Sequence, residues 1–313
     1  MTLHSEEAMK STMAAYYSTS GTTGLPKLVM FSHHALVAQQ VALQGEGKVD
    51  RRPGTPYPTV RLACLPLFHV FGAAWLLFAT IRHGQPVYVM ERFHLDRFVK
   101  NVDRFGVTET YVTPPIIHML MNTIKSGDTV KESLPVGGEA TGSSVRAKLD
   151  TLRYVGTGGA PIDAVSLGNF RSRLLNPHHA TVTQVWGMSE FGVATLFRQG
   201  DQDETGAIGR LLPGYEMTLV DTEGRRITDK NESGELLVRS PGLMVGYKKL
   251  SDEAGAAAGA AAGAVVTETA KDSKGWLRTG DIVRTKDGKL YITGRAKELI
   301  KAKGYAFPLF PPV

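Results

Sequence analysis

Between residues 60 and 185, short apolar or β-branched runs alternate with longer amphipathic segments. The strand-like runs cover residues 61–65, 86–90, 110–113, 152–155 and 181–185. One of the intervening segments, 95–105, places its apolar residues at helical spacing. This alternation is typical of parallel α/β structure. Open sheets of this kind bind ligands at the carboxyl ends of their strands, where turns such as 156–161 are rich in glycine and proline.

Beyond residue 206 the pattern changes to short apolar runs separated by turn sequences such as Asp-Thr-Glu-Gly at 221–224. This pattern predicts a smaller antiparallel β region. Residues 254–264 are almost entirely alanine and glycine, and we expect a mobile insertion there because glycine opposes a stable helix. We therefore expect three parts: an α/β core over 1–205, a β-rich subdomain over 206–294 and a tail over 295–313.

The segment from Tyr17 to Lys27 reads Tyr-Ser-Thr-Ser-Gly-Thr-Thr-Gly-Leu-Pro-Lys and holds five serine or threonine residues and two glycines. Such a loop can wrap closely around an anion, and Lys27 adds a positive charge at its end. The segment does not match the Walker A pattern. A surface loop without a ligand is the alternative, since clusters of serine, threonine and glycine are common there.

Charge and composition exclude several classes of function. The net charge is +6, but basic residues are dispersed among 30 acidic ones, which favours anionic small molecules over nucleic acid. The single cysteine, Cys64, lies in an apolar run and is interpreted as a buried thiol in a chain without disulfides. We find no apolar stretch of membrane-spanning length, no signal peptide and no C-terminal peroxisomal signal, so we expect a cytoplasmic protein.

Six motifs stand in an order that resembles the adenylate-forming, AMP-binding superfamily, and its acyl-CoA synthetase and 4-coumarate–CoA ligase branch in particular. They occupy residues 18–27 (phosphate loop), 66–72 (acyl-site segment), 158–161 (adenine-side turn), 184–190 (central motif), 276–281 (ribose motif) and 294–301 (hinge). The resemblance implies the N-terminal domain of that superfamily, with a parallel α/β subdomain and a smaller β subdomain.

The resemblance also implies an activity. In the family a carboxylate attacks the α-phosphorus of ATP, pyrophosphate leaves, and coenzyme A captures the acyl-adenylate. Expected ligands are therefore ATP or AMP, Mg²⁺, coenzyme A as co-substrate and a small carboxylic acid. This chemistry depends on positioning and charge neutralisation.

Roles are carried over residue by residue. The phosphate-binding residues are Ser18, Thr19, Ser20, Gly21, Thr22, Thr23, Gly24 and Lys27. The other nucleotide-binding residues are Gly159, Ala160, Pro161, Trp186, Gly187, Asp281 and Arg295. Catalytic roles fall on Ser189 at the α-phosphate, Glu190 as the Mg²⁺ ligand, His69 as the gate to the thioester site, and Lys297 at the hinge. The acyl pocket draws on Phe71, Gly72, Val185 and Val193, which suggests an aromatic or medium-chain acid.

Each of these assignments has a structural alternative. Glu190 could be a solvated carboxylate after a turn, Trp186 a core residue and Asp281 a turn residue. His69, on an apolar segment, could be a packed core histidine.

The chain also departs from the family pattern. It begins almost at the phosphate loop and ends just after the hinge, where Ala306 replaces the usual glutamine. No counterpart of the lid domain with its adenylation lysine follows. We therefore expect impaired adenylation, with an inactive fragment that at most binds nucleotide as the alternative. We also expect self-association through exposed apolar surfaces.

Overall fold

The structure is a computed structural model that describes residues 5–19, 27–47, 57–125, 145–197, 201–229, 232–248, 271–296, 299–302 and 305–308. Several sequence predictions lie outside these residues: the central part of the phosphate loop at 20–24, the alanine- and glycine-rich segment 254–264, and Lys297.

The helices of the described residues are mostly short. They are α1 Glu6–Ser11, α2 His33–Gly47, α3 Val70–Gly72, α4 Ala79–His83, α5 Leu95–Arg104, α6 Pro114–Lys125, α7 Val145–Lys148 and α8 Ala164–Leu174. A π-helical segment, Ala73–Phe78, joins α3 to α4. Helix α8 begins where Asp163 accepts a hydrogen bond from the Ser166 backbone N–H, as an N-cap aspartate does.

The strands of the described residues form five sheets. They are β1 Met13–Thr19, β2 Lys27–Ser32, β3 Arg61–Ala63, β4 Val87–Val89, β5 Glu109–Val112, β6 Tyr154–Thr157, β7 Thr181–Gln184, β8 Trp186–Met188, β9 Gly192–Leu196, β10 Arg210–Leu211, β11 Glu216–Val220, β12 Arg226–Ile227, β13 Gly234–Arg239, β14 Gly246–Lys248, β15 Leu277–Lys286, β16 Lys289–Arg295, β17 Leu299–Ala302 and β18 Tyr305–Pro308.

The central sheet has the order β4-β3-β5-β6-β7, and its strands pair in parallel. The predicted alternation of strands and helices is therefore confirmed. A five-stranded antiparallel sheet, β12-β11-β13-β15-β16, confirms the smaller β region after residue 206.

Besides the antiparallel pair β17-β18, two further antiparallel sheets were not predicted as such. One has the order β1-β2-β14 and joins the first strands to residues 246–248; the other has the order β10-β9-β8. The second spans the predicted boundary at 205/206, because Arg210 pairs with Leu196. The division into three parts stays a prediction.

Two apolar clusters lie on opposite faces of the parallel sheet. On β5, Tyr111 belongs to the larger cluster and Val112 to the other, as the alternation of side chains along a strand requires. The larger cluster continues through Trp186 to Leu236 in the antiparallel sheet. The parallel sheet and the antiparallel region thus share one core, which places the ends of their strands around a common space.

Cys64 is a buried free thiol, as interpreted from its apolar context. Burial raises the pKa of this thiol to about 12. Among the described residues, no helix is both long and apolar enough to cross a membrane.

Candidate active site

A cleft of about 830 Å³ opens at the carboxyl ends of strands β3, β6 and β7. Residues of all six sequence motifs line it. Of the predicted site residues, the structure brings together Ser18, Thr19, Lys27, His69, Phe71, Gly159, Val185, Trp186, Gly187, Ser189, Glu190, Val193 and Arg295. These residues are distributed along the sequence from position 18 to position 295, so only the folded chain brings them close together.

Four of the predicted residues that the structure describes do not line the cleft. Ala160 and Pro161 are exposed outside it, Asp281 is 1% exposed behind it, and Gly72 is buried. A Cβ atom at Gly72 would lie 2.3 Å from the Pro66 carbonyl oxygen. Glycine there allows the chain to pass Pro66 closely, which is a packing role.

The phosphate loop begins and ends in an antiparallel pair. Thr19 of β1 lies opposite Lys27 of β2, so residues 20–26 connect two adjacent strand ends. The Lys27 Nζ atom lies 5.2 Å from the centroid of the Tyr247 ring, a cation–π geometry. Lys27 is thereby held at the edge of the cleft.

The central motif forms a tight turn between β8 and β9. A Cβ atom at Gly187 would lie 1.9 Å from the Gly192 carbonyl oxygen, so a side chain at this position cannot be accommodated. Gly192 has a φ of 71°, which glycine adopts without strain. This turn presents Ser189 and Glu190 to the cleft.

Glu190 is half-buried and held at two points. Its Oε1 atom accepts a hydrogen bond of 2.6 Å from the Tyr247 hydroxyl, and its carbonyl oxygen accepts one of 2.8 Å from the Met244 backbone N–H. The sequence motifs did not identify Tyr247 as a site residue. It is 57 positions from Glu190, and no spacing pattern connects the two residues.

Asp281 joins two other predicted residues. Its Oδ2 atom accepts a hydrogen bond of 2.9 Å from Trp186 Nε1, and its Oδ1 atom lies 2.8 Å from Arg295 Nε. Asp281 and Arg295 face each other across β15 and β16. Trp186 is 7% exposed and packs against Phe191 with ring centroids 5.2 Å apart. Trp186 therefore both lines the cleft and belongs to the core.

His69 begins the short helix α3. Its Nδ1 atom accepts a hydrogen bond of 3.2 Å from the Phe71 backbone N–H. Partial burial of the ring lowers the pKa of His69. Both features favour the neutral imidazole, because a protonated Nδ1 could not accept this bond.

The apolar end of the cleft is formed by Phe71, Val185 and Val193, which are at most 8% exposed. Behind it, the Phe71 ring meets the Tyr111 ring at 6.0 Å in an edge arrangement, and Trp75 stacks on Tyr111 at 4.7 Å. These buried rings pack behind Phe71 at the apolar end of the cleft.

The residues present fit a magnesium ion held largely by a substrate. Glu190 supplies a carboxylate in the cleft, and Lys27, which also lines it, supplies a positive charge for phosphate. In the part of the chain that the structure describes, no cluster of three or more His, Cys, Asp or Glu residues forms a protein cage for a metal. Mg²⁺ typically uses one or two carboxylates together with substrate phosphates, which is the donor set this cleft can offer.

Comparisons with known proteins agree with this arrangement. The nicotinic acid-CoA ligase olcI of Penicillium canescens is 38% identical over 98% of this chain and 48% of its own length. The acyl-CoA ligase clz12 of Cochliobolus lunatus is 33% identical over 89% of this chain and 70% of its own length. The chain spans about half the length of olcI and of several other curated relatives that it matches.

Solved structures show the same fold. The o-succinylbenzoate coenzyme A synthetase MenE of Bacillus subtilis, in complex with ATP and magnesium ion, has a TM-score of 0.69 at 23% identity, over 96% of this chain and 53% of that one. ATP-bound MatB of Rhodopseudomonas palustris has a TM-score of 0.72 at 21% identity, over 95% of this chain and 50% of that one. The model of the AMP-binding enzyme family matches residues 3–248. The chain belongs to the AMP-binding enzyme family.

Proposed function

We propose that this chain binds ATP with Mg²⁺ and activates a carboxylic acid as its adenylate for transfer to coenzyme A. The observation that supports this most strongly is the convergence of all six motifs on one cleft. The names of the related curated proteins, which include nicotinic acid-CoA and acyl-CoA ligases, support coenzyme A as the acceptor.

The phosphate end of the cleft supports a division of roles. Ser18, Thr19 and Lys27, with the loop residues between them, would hold the β- and γ-phosphates. Ser189 would donate to the α-phosphate, and Glu190 would hold Mg²⁺. When bound, this ion neutralises charge on the phosphate oxygens. Lys297, outside the described residues, keeps its predicted place at the hinge.

At the nucleoside end, Trp186 would lie beside the adenine with Gly159 and Gly187. Arg295 would reach ribose or phosphate oxygens, because its side chain is exposed at the cleft while its Nε atom faces Asp281. Asp281 would accept from the ribose hydroxyls only if one of its present partners gives way. Ala160 and Pro161, which do not line the cleft, keep their predicted place in the turn at its edge.

The apolar end of the cleft supports a short aromatic acid as the substrate. Phe71, Val185 and Val193 line this end, and the Tyr111 ring packs against Phe71 with Trp75 stacked on it. Aromatic side chains packed in this way favour a small aromatic acid over a long chain. A relative is named for nicotinic acid, which is an acid of this class. His69, which lines the cleft, would gate the entrance, where its neutral ring would separate the acyl site from the thiol.

ATP–pyrophosphate exchange tests the proposal. Exchange is expected with small aromatic acids, less with long-chain acids, and none with Glu190→Gln, which keeps the size of the side chain but removes its charge. ATP binding without exchange for any acid would instead support the alternative, a chain that binds nucleotide without turnover. A chain that binds no ATP would contradict both. The cytoplasmic location stays a prediction that cell fractionation can check.

A further inference from the structure

Residues 244–247 connect the two charged walls of the cleft. The Met244 N–H donates to the Glu190 carbonyl oxygen at 2.8 Å, and the Val245 N–H donates to the Met30 carbonyl oxygen at 2.8 Å. Strand β14 then pairs with β2, with Tyr247 opposite Val29. This segment therefore ties the turn that carries Glu190 to the strand that begins at Lys27.

Tyr247 is the side chain through which this connection reaches the site. Its hydroxyl donates to Glu190 Oε1 at 2.6 Å, and its ring lies below Lys27 Nζ at 5.2 Å from the centroid. The hydroxyl thus contacts the negatively charged Glu190, and the ring contacts the positively charged Lys27. A hydrogen bond to a carboxylate restricts the rotation of that carboxylate, and a ring face attracts an ammonium group.

We propose that Tyr247 is a positioning residue that sets Glu190 for Mg²⁺ through its hydroxyl and Lys27 for the phosphates through its ring. The inference rests on the proposed function, since it assigns Mg²⁺ and phosphate to these two side chains. Partners that orient a metal-binding carboxylate typically contribute about 10–100-fold to metal affinity. Substitution of Tyr247 can remove the hydroxyl contact alone or both contacts together.

Calorimetric titration with ATP, in EDTA and at saturating Mg²⁺, separates the two contacts. The ratio of the two Kd values measures how much Mg²⁺ strengthens ATP binding. Tyr247→Phe removes the hydroxyl and keeps the ring, so this ratio is expected to fall about tenfold while the Kd in EDTA is unchanged. Tyr247→Leu removes both contacts and is expected to weaken binding in EDTA about two- to fivefold as well.

Tyr16 offers a matched control. It lies in the same three-stranded sheet, its ring is 5.5 Å from Lys248 Nζ, and it does not line the cleft. Tyr16→Phe is expected to leave both Kd values unchanged. A change there equal to that of Tyr247→Phe would show an effect of the sheet alone and would overturn the inference.

The remaining outcomes separate this inference from the proposed function. An unchanged ratio in Tyr247→Phe, or equal weakening with and without Mg²⁺, would overturn the positioning role and leave the nucleotide site intact. An unsubstituted chain that binds ATP equally well in EDTA and in Mg²⁺ would also overturn it, because Glu190 would then hold no metal. A chain that binds no ATP would overturn both proposals.

Discussion

At the scale of single residues, Asp281 connects the core to the cleft. Its carboxylate is 1% exposed and lies between the indole N–H of Trp186 and the guanidinium of Arg295. When the acceptor of a buried hydrogen-bond donor is removed, the free energy of unfolding falls by about 1–3 kcal/mol. A substitute acceptor makes this loss smaller. Asp281 therefore influences stability as well as the proposed ribose contact.

Asp281→Ala is expected to lower the free energy of unfolding by about 1–3 kcal/mol, because Trp186 Nε1 loses its acceptor inside the core. Asp281→Asn, which keeps an oxygen acceptor, is expected to lower it less. Urea unfolding followed by tryptophan fluorescence measures both. Equal losses of stability in the two variants would show that the hydrogen bond from Trp186 does not account for the loss.

We expect His69 to make stability depend on pH. Partial burial lowers the pKa of His69 in the folded chain below its ordinary value of about 6.5. Between these two values the unfolded chain binds a proton that the folded chain does not, so stability falls as the pH drops through this window and is complete above it.

His69→Asn is expected to reduce this dependence, because asparagine can accept the Phe71 N–H bond but does not titrate. Urea unfolding at a series of pH values from about 7.5 down to about 5 checks it, since this range spans the window of a histidine. If the unsubstituted chain and the variant lose stability in parallel, His69 does not cause the loss.

At the scale of elements, the close approach of β8 and β9 shapes the central turn. Gly187 faces the Gly192 backbone, and a Cβ atom there would overlap the carbonyl oxygen. Gly168, by contrast, lies on the exposed surface of α8, and a Cβ atom at this position would meet no other atom within 4 Å. The two glycines thus predict opposite effects of the same substitution.

Gly187→Ala is expected to destabilise the chain by about 1–3 kcal/mol, because the strands must separate to admit the methyl group. It should also weaken ATP binding by moving Ser189 and Glu190. Gly168→Ala is expected to stabilise it by about 0.5–1 kcal/mol through helix propensity. Chemical denaturation compares the pair, and a neutral Gly187→Ala would contradict the packing described for this turn.

At the scale of the whole molecule, strand β4 is an edge of the parallel sheet. Within the described residues it pairs with β3 alone. Val89 of β4 is 61% exposed, and Ile81 of the nearby helix α4 is 72% exposed. An exposed apolar edge strand can pair with another chain, and natural proteins often protect such edges with charged residues.

We expect the chain to self-associate with increasing concentration, and Val89→Lys to shift it towards the monomer. Val165→Lys is the matched control, because Val165 is 72% exposed on helix α8, which packs against β7 at the opposite end of the sheet from β4. Light scattering over a concentration series measures the mass. A monomer at every concentration for the unsubstituted chain would refute the expectation.

Much of the fold and part of the site can be predicted from the order of residues. Helical spacing between Leu95 and Phe105 predicted α5, and the apolar runs predicted the five parallel strands, because these patterns depend on neighbours a few positions apart. The motifs with their short spacings likewise predicted most of the cleft lining.

Contacts between distant residues were decided only by the tertiary structure. The sequence identified Asp281 and Trp186 separately, but their hydrogen bond joins positions 95 residues apart, and it buries the carboxylate that the motif alone suggested would be open to a ribose. Tyr247 reaches Glu190 only because β14 pairs with β2, and no local pattern reports that pairing. Local sequence determines which elements form, whereas burial and partners depend on how the whole chain packs.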